Sequence, residues 1–329
     1  MTKRVLVTGG DGLLGSHVVR KALEDGYEVR AFIQQGRHVD VLDGLPIEKY
    51  IGDLLNKDDI KTALKGCQAV IHTAATTAVY PARAEWIWKI NYGAVVDLAQ
   101  AVENVGIERF VHISSACTFG YGSLENPGDE TNPYIGSKFH LDYMDSKKKA
   151  QDHLLEEYRA HNLPVIILNP TYLIGEYDTA PGSGKMVIAA AKRQVPGYSS
   201  GGKCVVYVGD VAQAAVNALH MGRLGECYIT GGKNIPYRDF FALVAQTAGT
   251  KKLKLELPTP LVILTGFMME QIAKLTGKPP RLTSIMGRMS GDGHYYSSQK
   301  AIRELALPQT PPEIAIQKAV DYFREIGYL

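Results

Sequence analysis

The chain has 329 residues, 45% of them hydrophobic and 21% charged, the make-up of a soluble globular protein with one large domain or two unequal ones. Its formal net charge is +2 and its basic residues are scattered, so nothing marks it for nucleic acid or for an acidic membrane. Cys67, Cys117, Cys204 and Cys227 show neither close pairing nor a Cys/His cluster, which predicts free thiols, a reducing compartment and no bound metal. No signal-peptide core follows the N-terminus and no run of about 18 uncharged apolar residues occurs, so a cytoplasmic protein without membrane insertion is expected. The most apolar stretch, LVILTGFMM at 261–269, is too short to span and fits a buried helix.

In chain order, short Val/Ile-rich runs alternate with longer stretches of helical period. RVLVTG precedes a helix over 14–25, EVRAFI precedes one over 57–65, and AVIHTA precedes one over 86–105; RFVHISS, a helix from Tyr143 and PVIILNP follow. Strands that are apolar throughout and separated by helices imply a parallel sheet covered on both faces, a doubly wound α/β architecture. Residues 1–170 make up this half, with a later strand and helix near 203–222 returning to it. Beyond residue 170 the alternation loosens: TAPGSGK and VPGYSSGGK read as loops. Residues 171–329, closed by a helix over 312–326, form a smaller, mixed, mainly substrate-binding portion. A ligand is expected at the carboxyl ends of the strands, between the two portions.

The segment TGGDGLLGS, residues 8–16, leaves the first strand and opens a helix. Gly9 suits the tight turn, Gly12 lets the backbone N–H groups around Leu13 and Leu14 approach a pyrophosphate, and Gly15 permits close packing of helix on strand. The second strand ends in Ile33 and Gln34, where an acid would accept bonds from a ribose 2′-hydroxyl. With no carboxylate there, and with Arg37 close enough in sequence to meet a 2′-phosphate, NADP is favoured over NAD. Arg30 is a poorer candidate because it lies inside the strand.

The Gly-x-x-Gly-x-x-Gly loop, GDL at 52–54, HTAA at 72–75, Asn91, ISSACTFG at 113–120, a Tyr-x-x-x-Lys pair and NPTYLIG at 169–175 together resemble the extended branch of the short-chain dehydrogenase/reductase superfamily, the NAD-dependent epimerase/dehydratase family. The resemblance runs over nearly the whole chain. It implies a Rossmann fold in which Asp53 and Leu54 border the adenine, Thr73, Ala74 and Ala75 line the cofactor, Asn91 supports the site from a helix, and Pro170 and Leu173 complete the cofactor site. It also implies a homodimer.

Hydride transfer to a carbonyl needs a proton donor and a group that holds the oxygen. Tyr-x-x-Ser-Lys occurs twice, from Tyr134 to Lys138 and from Tyr143 to Lys147. The copies are nine residues apart and would face opposite sides of one helix, so only one can face a cofactor. Tyr134 sits between Asn132-Pro133 and Gly136, a turn setting, whereas no Gly or Pro follows Tyr143 until Pro164. The second copy is therefore expected to be catalytic, with Lys147 lowering the pKa of Tyr143 and holding the nicotinamide ribose. Ser114 and Ser115 both suit the oxygen-binding role by chemistry; alignment with the resembled family selects Ser115. Cys117 reads as a packing residue, and His72 and His112 as satisfied strand-end histidines.

The resembled branch includes epimerases, dehydratases and carbonyl reductases of the dihydroflavonol-reductase and 3β-hydroxysteroid-dehydrogenase type. Its dehydratases carry Asp-Glu after the active-site hydroxyl, where this chain has Ala116-Cys117. Its sugar-nucleotide epimerases carry a phosphate-binding arginine after the sixth strand that NPTYLIGEYD lacks. The expectation is an NAD(P)-dependent carbonyl reductase or alcohol dehydrogenase for a lipophilic or aromatic ketone or aldehyde, in a pocket of Thr76, Val79, Tyr80, Tyr172, Met186 and the 260s run. A nucleoside-diphosphate-sugar epimerase with tightly bound NAD and a non-catalytic dinucleotide-binding protein are the alternatives.

Overall fold

The computed structural model describes residues 3–36 and 39–329. Its strands in chain order are β1 Arg4–Thr8, β2 Glu28–Gln34, β3 Glu48–Gly52, β4 Ala69–His72, β5 Arg109–Ile113, β6 Val165–Pro170, β7 Tyr172–Ile174, β8 Gly202–Tyr207, β9 Cys227–Thr230, β10 Lys233–Pro236 and β11 Gly293–His294. The helices are α1 Leu13–Glu24, α2 Lys57–Leu64, α3 Glu85–Trp88, α4 Ala94–Val105, α5 Asp142–His161, α6 Gly184–Ala191, α7 Val208–Asn217, α8 Tyr237–Ala248, α9 Thr259–Thr276, α10 Ser284–Ser290, α11 Gln299–Leu305 and α12 Pro312–Glu325.

Seven strands form one parallel sheet in the order β3-β2-β1-β4-β5-β6-β9. Successive side chains on a strand point to opposite faces, so β1 buries both faces by being apolar at three successive positions, Val5, Leu6 and Val7. Val5 and Val7 pack with Val18 and Val19 of α1 and Val211 and Ala215 of α7, while Leu6 packs with Leu64 of α2, Leu98 of α4 and Leu154 of α5. Each wholly buried aliphatic side chain contributes about 1.5–3 kcal/mol. The strand order reverses between β1 and β4, and in a doubly wound sheet the ligand crevice lies outside the carboxyl ends at that point.

The smaller half is built on β8, which pairs antiparallel with β10 and parallel with β7 and β11. The expected return of the chain near 203–222 is thus split. Helix α7 does pack against α1 over the large sheet, but β8 belongs to the small sheet, and the strand that joins β6 is β9. An apolar strand of either sheet reads alike in sequence, because pairing partners are chosen at long range.

The 260s run also departs from expectation. It forms α9, but only Val262, Gly266 and Ala273 of that helix are buried. A side chain at Gly266 would meet the Thr283 backbone at 2.4 Å, and one at Gly287 the Ile263 backbone at 2.9 Å, so α9 and α10 cross through glycines. The remaining apolar face of α9 points outward. Within these described residues no helix is long and apolar enough to cross a membrane.

Candidate active site

The glycine loop closes on the ends of β1 and β4. Gly9 has φ +67°, and a Cβ there would lie 2.8 Å from Cα of Ala74. A Cβ on Gly15 would lie 1.9 Å from the Gly9 carbonyl oxygen, so helix and turn touch backbone to backbone. Thr73 donates its hydroxyl to the Thr8 carbonyl at 2.6 Å, which pins Thr73 and Ala74 beside the loop. Helix α1 starts at Leu13 with Gly12 as its cap, no side-chain cap bond and no acid in its first turn. The N–H groups of Leu13 and Leu14 therefore open on the crevice with the positive end of the helix dipole behind them, a fit for a dinucleotide pyrophosphate.

Gln34 ends β2 as an exposed, uncharged residue. Arg37 lies outside the described residues. Arg30 is committed elsewhere: its guanidinium donates to the carbonyls of Ala63 at 2.6 Å and Lys65 at 2.8 Å and pairs with Glu48 at 2.9 Å. Asp53 is exposed, and its carboxylate accepts from the Leu55 N–H at 2.9 Å; Leu54 packs on the α2/α4 side of the core.

Helix α5 begins at Asp142, so Tyr143 and Lys147 lie in its first two turns on one face. The start of the helix is tied down by Asp142, which accepts from the Ala84 N–H at 2.7 Å and pairs with Arg83 at 3.0 Å. Tyr134 lies in the preceding loop, and its hydroxyl donates to Asp145 at 2.7 Å. That phenol is already engaged, which leaves Tyr143 as the copy facing the Ser115 hydroxyl. Lys147 is buried and donates to the Ile113 carbonyl at the end of β5, at 3.0 Å.

The electrostatics correct one expectation. Burial pushes Tyr143 well above the usual phenol range, with the hydrogen bond from Ser115 opposing it, and Lys147 is not among the groups that shift it. Tyr143 is thus held as a neutral phenol. Burial lowers Lys147 from 10.5 to about 8. The same cause raises Cys117 to about 11, an unreactive thiol, and all four cysteines are free.

One of the two strand-end histidines differs from expectation as well. His72 shares a 2.7 Å hydrogen bond with the Thr8 hydroxyl, but neither ring nitrogen of His112 has a partner among the described residues. The rings stack 5.5 Å apart, and burial holds His72 at about 3 and His112 well below its ordinary value, so both are neutral.

Asn91 sits on a π-turn, Lys89–Gly93, between α3 and α4. The extra residue in that turn aims its amide outward: it accepts from the Thr76 N–H at 2.9 Å and donates to the Thr76 carbonyl at 3.0 Å and to Ser146 at 3.2 Å. The segment after β4 is thereby sewn to α5, one residue from Lys147. Of the pocket residues, Val79 packs near Tyr143. Tyr172 and Met186 instead join the core of the smaller half, and Ile285 and Met289 of α10, not the 260s run, reach the Tyr143 cluster. Pro170 is buried at the end of β6, and Leu173 packs against the core beneath α1.

Sequence reasoning missed two features. Beneath Ser115, the Gln151 carbonyl oxygen accepts from Ser114 at 3.1 Å, Thr118 at 3.0 Å and Asn169 at 2.6 Å. Asn169 and Thr118 also donate to the Ser115 carbonyl, at 3.1 and 2.9 Å. Ser114 is consumed by this network, which leaves Ser115 for the site. The other feature is Lys203 on β8, opposite His294 of β11: burial lowers Lys203 from 10.5 to about 8, and Cys117 and Asp292 oppose that shift. Away from the crevice, Glu103, Glu157 and His161 bring ligand atoms within 4.8 Å of one another, where Glu157 raises the exposed His161 as an ion-pair partner would.

The model of the NAD-dependent epimerase/dehydratase family matches residues 5–231. A dihydroflavonol 4-reductase-like protein of Synechocystis sp. is 30% identical over 98% of this chain and 95% of its own. The decarboxylating sterol-4-alpha-carboxylate 3-dehydrogenase of Mus musculus is 25% identical over 98% and 92%. The solved structure of gox2253 superposes at a TM-score of 0.87 with 32% identity and full coverage of both chains. Sheet order, crevice and relatives agree: the chain belongs to the NAD-dependent epimerase/dehydratase family, the extended short-chain dehydrogenases/reductases, and is an NAD(P)-dependent oxidoreductase.

Proposed function

We propose that the protein is a carbonyl reductase in which Tyr143 protonates the substrate oxygen, Ser115 holds that oxygen, and Lys147 positions the cofactor ribose. The observation that carries this reading is the neutral, half-buried Tyr143 phenol facing the Ser115 hydroxyl among Val79, Ile285 and Met289, with Lys147 one turn on donating to the end of β5. A phenol that keeps its proton is the form a reduction needs, since the carbonyl oxygen gains negative charge as hydride arrives. The cofactor supplies the hydride. Gly9, Gly12, Leu13, Leu14 and Gly15 would seat its pyrophosphate, Thr73, Ala74 and Ala75 would line its nicotinamide half, Asn91 would hold that segment, and Asp53 and Leu54 would flank its adenine. Pro170 and Leu173 would complete the wall from the β6 end.

NADP(H) over NAD(H) is supported by the uncharged Gln34 where a ribose-binding acid would stand, and Arg37 is the residue to meet a 2′-phosphate. The apolar neighbours of Tyr143, namely Val79, Ile285 and Met289, support a lipophilic ketone or aldehyde. Lys203 adds an anion-binding group to that wall, which suits a carbonyl compound that also carries a carboxylate. The relative named a sterol-4-alpha-carboxylate dehydrogenase is in keeping with that.

Lys203 also favours one rival, a sugar-nucleotide epimerase in which the cation meets a phosphate. Fluorescence titration with NADPH and NADH, followed by a turnover screen on ketones, ketoacids and sugar nucleotides, separates the readings. Net oxidation of added NADPH that Tyr143→Phe abolishes supports the reductase. Epimerisation without net cofactor turnover defeats it.

A further inference from the structure

Helix α9 leaves a continuous apolar face without a partner. Leu261, Leu264, Met268, Ile272 and Leu275 succeed one another at steps of three, four, four and three residues, which is one stripe of a helix. The first four are between 51% and 57% exposed, and Leu275 is 87% exposed. The opposite side is occupied: Gly266 meets the Thr283 and Ser284 backbone at the start of α10, Ala273 is buried, and Glu270 accepts from the Ser284 N–H at 2.9 Å. From residue 257 to 291 Glu270 is the single acid, against Lys274, Lys278, Arg281 and Arg288. None of these four cations has a carboxylate partner among the described residues.

We propose that α9 and α10 dock on an anionic membrane surface, with the α9 stripe in the boundary between headgroups and acyl chains and the cations on the phosphates. An amphipathic helix with an apolar face and unpaired cations at its end is built for that boundary, where apolar burial and attraction to anionic lipid add. A second copy of the chain is a poorer occupant. Face to face it would bring two cation sets together with no exposed acid from the same segment to answer them. The position of the face matters too. Ile285 and Met289 of α10 pack in the cluster that holds Tyr143, so the docked pair would form the wall between the membrane and the site.

The test is co-sedimentation of the full chain with vesicles of phosphatidylcholine mixed with phosphatidylglycerol, and with phosphatidylcholine alone, alongside light scattering. The wild type should partition onto the mixed vesicles and be released by salt. Lys274→Gln with Lys278→Gln should weaken that partition about 25-fold, at about fivefold per cation. Leu264→Ser with Met268→Ser should weaken it about tenfold or more, with the thermal midpoint unchanged. If that pair unfolds the protein, Leu275→Ser reads the same surface, since this side chain touches little else. Background binding of the wild type to mixed vesicles, or serine variants that bind as the wild type does, overturns the proposal. So does a wild-type dimer that the serine variants split.

Discussion

The side-chain oxygen of Gln151 accepts from the Asn169 amide at 2.6 Å, and that contact is the centre of the platform under Ser115. Ser114 and Thr118 donate to the same oxygen, and Asn169 and Thr118 also grip the Ser115 carbonyl. Gln151→Met leaves the buried Ser114 hydroxyl without its acceptor, at about 1–3 kcal/mol, while Asn169 and Thr118 keep the Ser115 carbonyl. The expected outcome is a chain less stable by about 1–3 kcal/mol in urea, with kcat lowered more than KM because the support of Ser115 loosens. Gln151→Glu keeps an acceptor and should recover most of both; a Glu variant no better than Met would refute the platform.

Tyr143 and Ser115 are expected to separate cleanly in kinetics. Tyr143→Phe keeps the ring and its packing, so cofactor affinity should change by no more than a few-fold while kcat falls about 10²–10⁴-fold. Ser115→Ala removes one donor to the developing oxyanion and should cost about 10²–10³-fold in kcat. Tyr134→Phe breaks the bond to Asp145 and should leave kcat nearly unchanged. Stopped-flow single-turnover measurements decide the matter, and equal losses at Tyr134 and Tyr143 would point to a shared structural effect.

Lys147 sets the pH dependence. Its ammonium is buried and lowered from 10.5 to about 8, so the charge is present below pH 8 and lost as pH rises through it. Tyr143, raised by burial, stays neutral throughout that range and His72 at about 3 stays uncharged, so neither contributes a limb there. In the free enzyme, kcat/KM for the cofactor should therefore fall above about pH 8. Lys147→Arg, which cannot lose its proton, should move that limb upward even where overall activity drops. An unshifted limb would assign it to another group, with Lys203 the first to examine.

How far the sequence carries depends on how local each cause is. The glycine loop is legible because its constraint is backbone against backbone: no residue but glycine fits 1.9 Å from the Gly9 oxygen. Tyr143 could be told from Tyr134 because Gly and Pro decide where a helix can run, and α5 does begin at Asp142. The sheet that β8 joins was not legible, since CVVYV reads as a buried strand whichever edge receives it. The outward face of α9 was hidden for a related reason: an all-apolar run has no polar side to orient it, and the seat is set by Gly266 and Gly287 meeting across two helices. Spacing alone predicts a pull of Lys147 on Tyr143. In the folded chain that ammonium donates to the Ile113 carbonyl, and burial is what sets the phenol's shift.

Gly15 offers a test of the loop itself. Gly15→Ala forces a methyl into the Gly9 carbonyl and against Cα of Gly10 at 2.9 Å, with backbone on both sides and no flexible side chain to yield. Overpacking of this kind costs about 1–3 kcal/mol and shifts the turn. Dinucleotide affinity should fall at least tenfold, because the N–H groups of Leu13 and Leu14 move with it. Full retention of NADPH binding in a folded Gly15→Ala variant would place the pyrophosphate elsewhere.

Lys203 bears on the substrate. Lys203 lies near Cys117, whose N–H donates to the Ser115 hydroxyl at 3.3 Å, so an anionic group held by Lys203 would sit close to the reacting oxygen. Lys203 is half-buried and forms no ion pair among the described residues, so a substrate carboxylate that pairs with it recovers part of its desolvation cost on binding. Lys203→Gln should therefore raise KM about tenfold or more for ketoacids and leave it nearly unchanged for neutral ketones of the same size. Equal effects on both substrate types would show that Lys203 supports the wall without reading the substrate. The comparison needs matched pairs, because removing a buried charge can also stabilise the fold and mask a uniform loss.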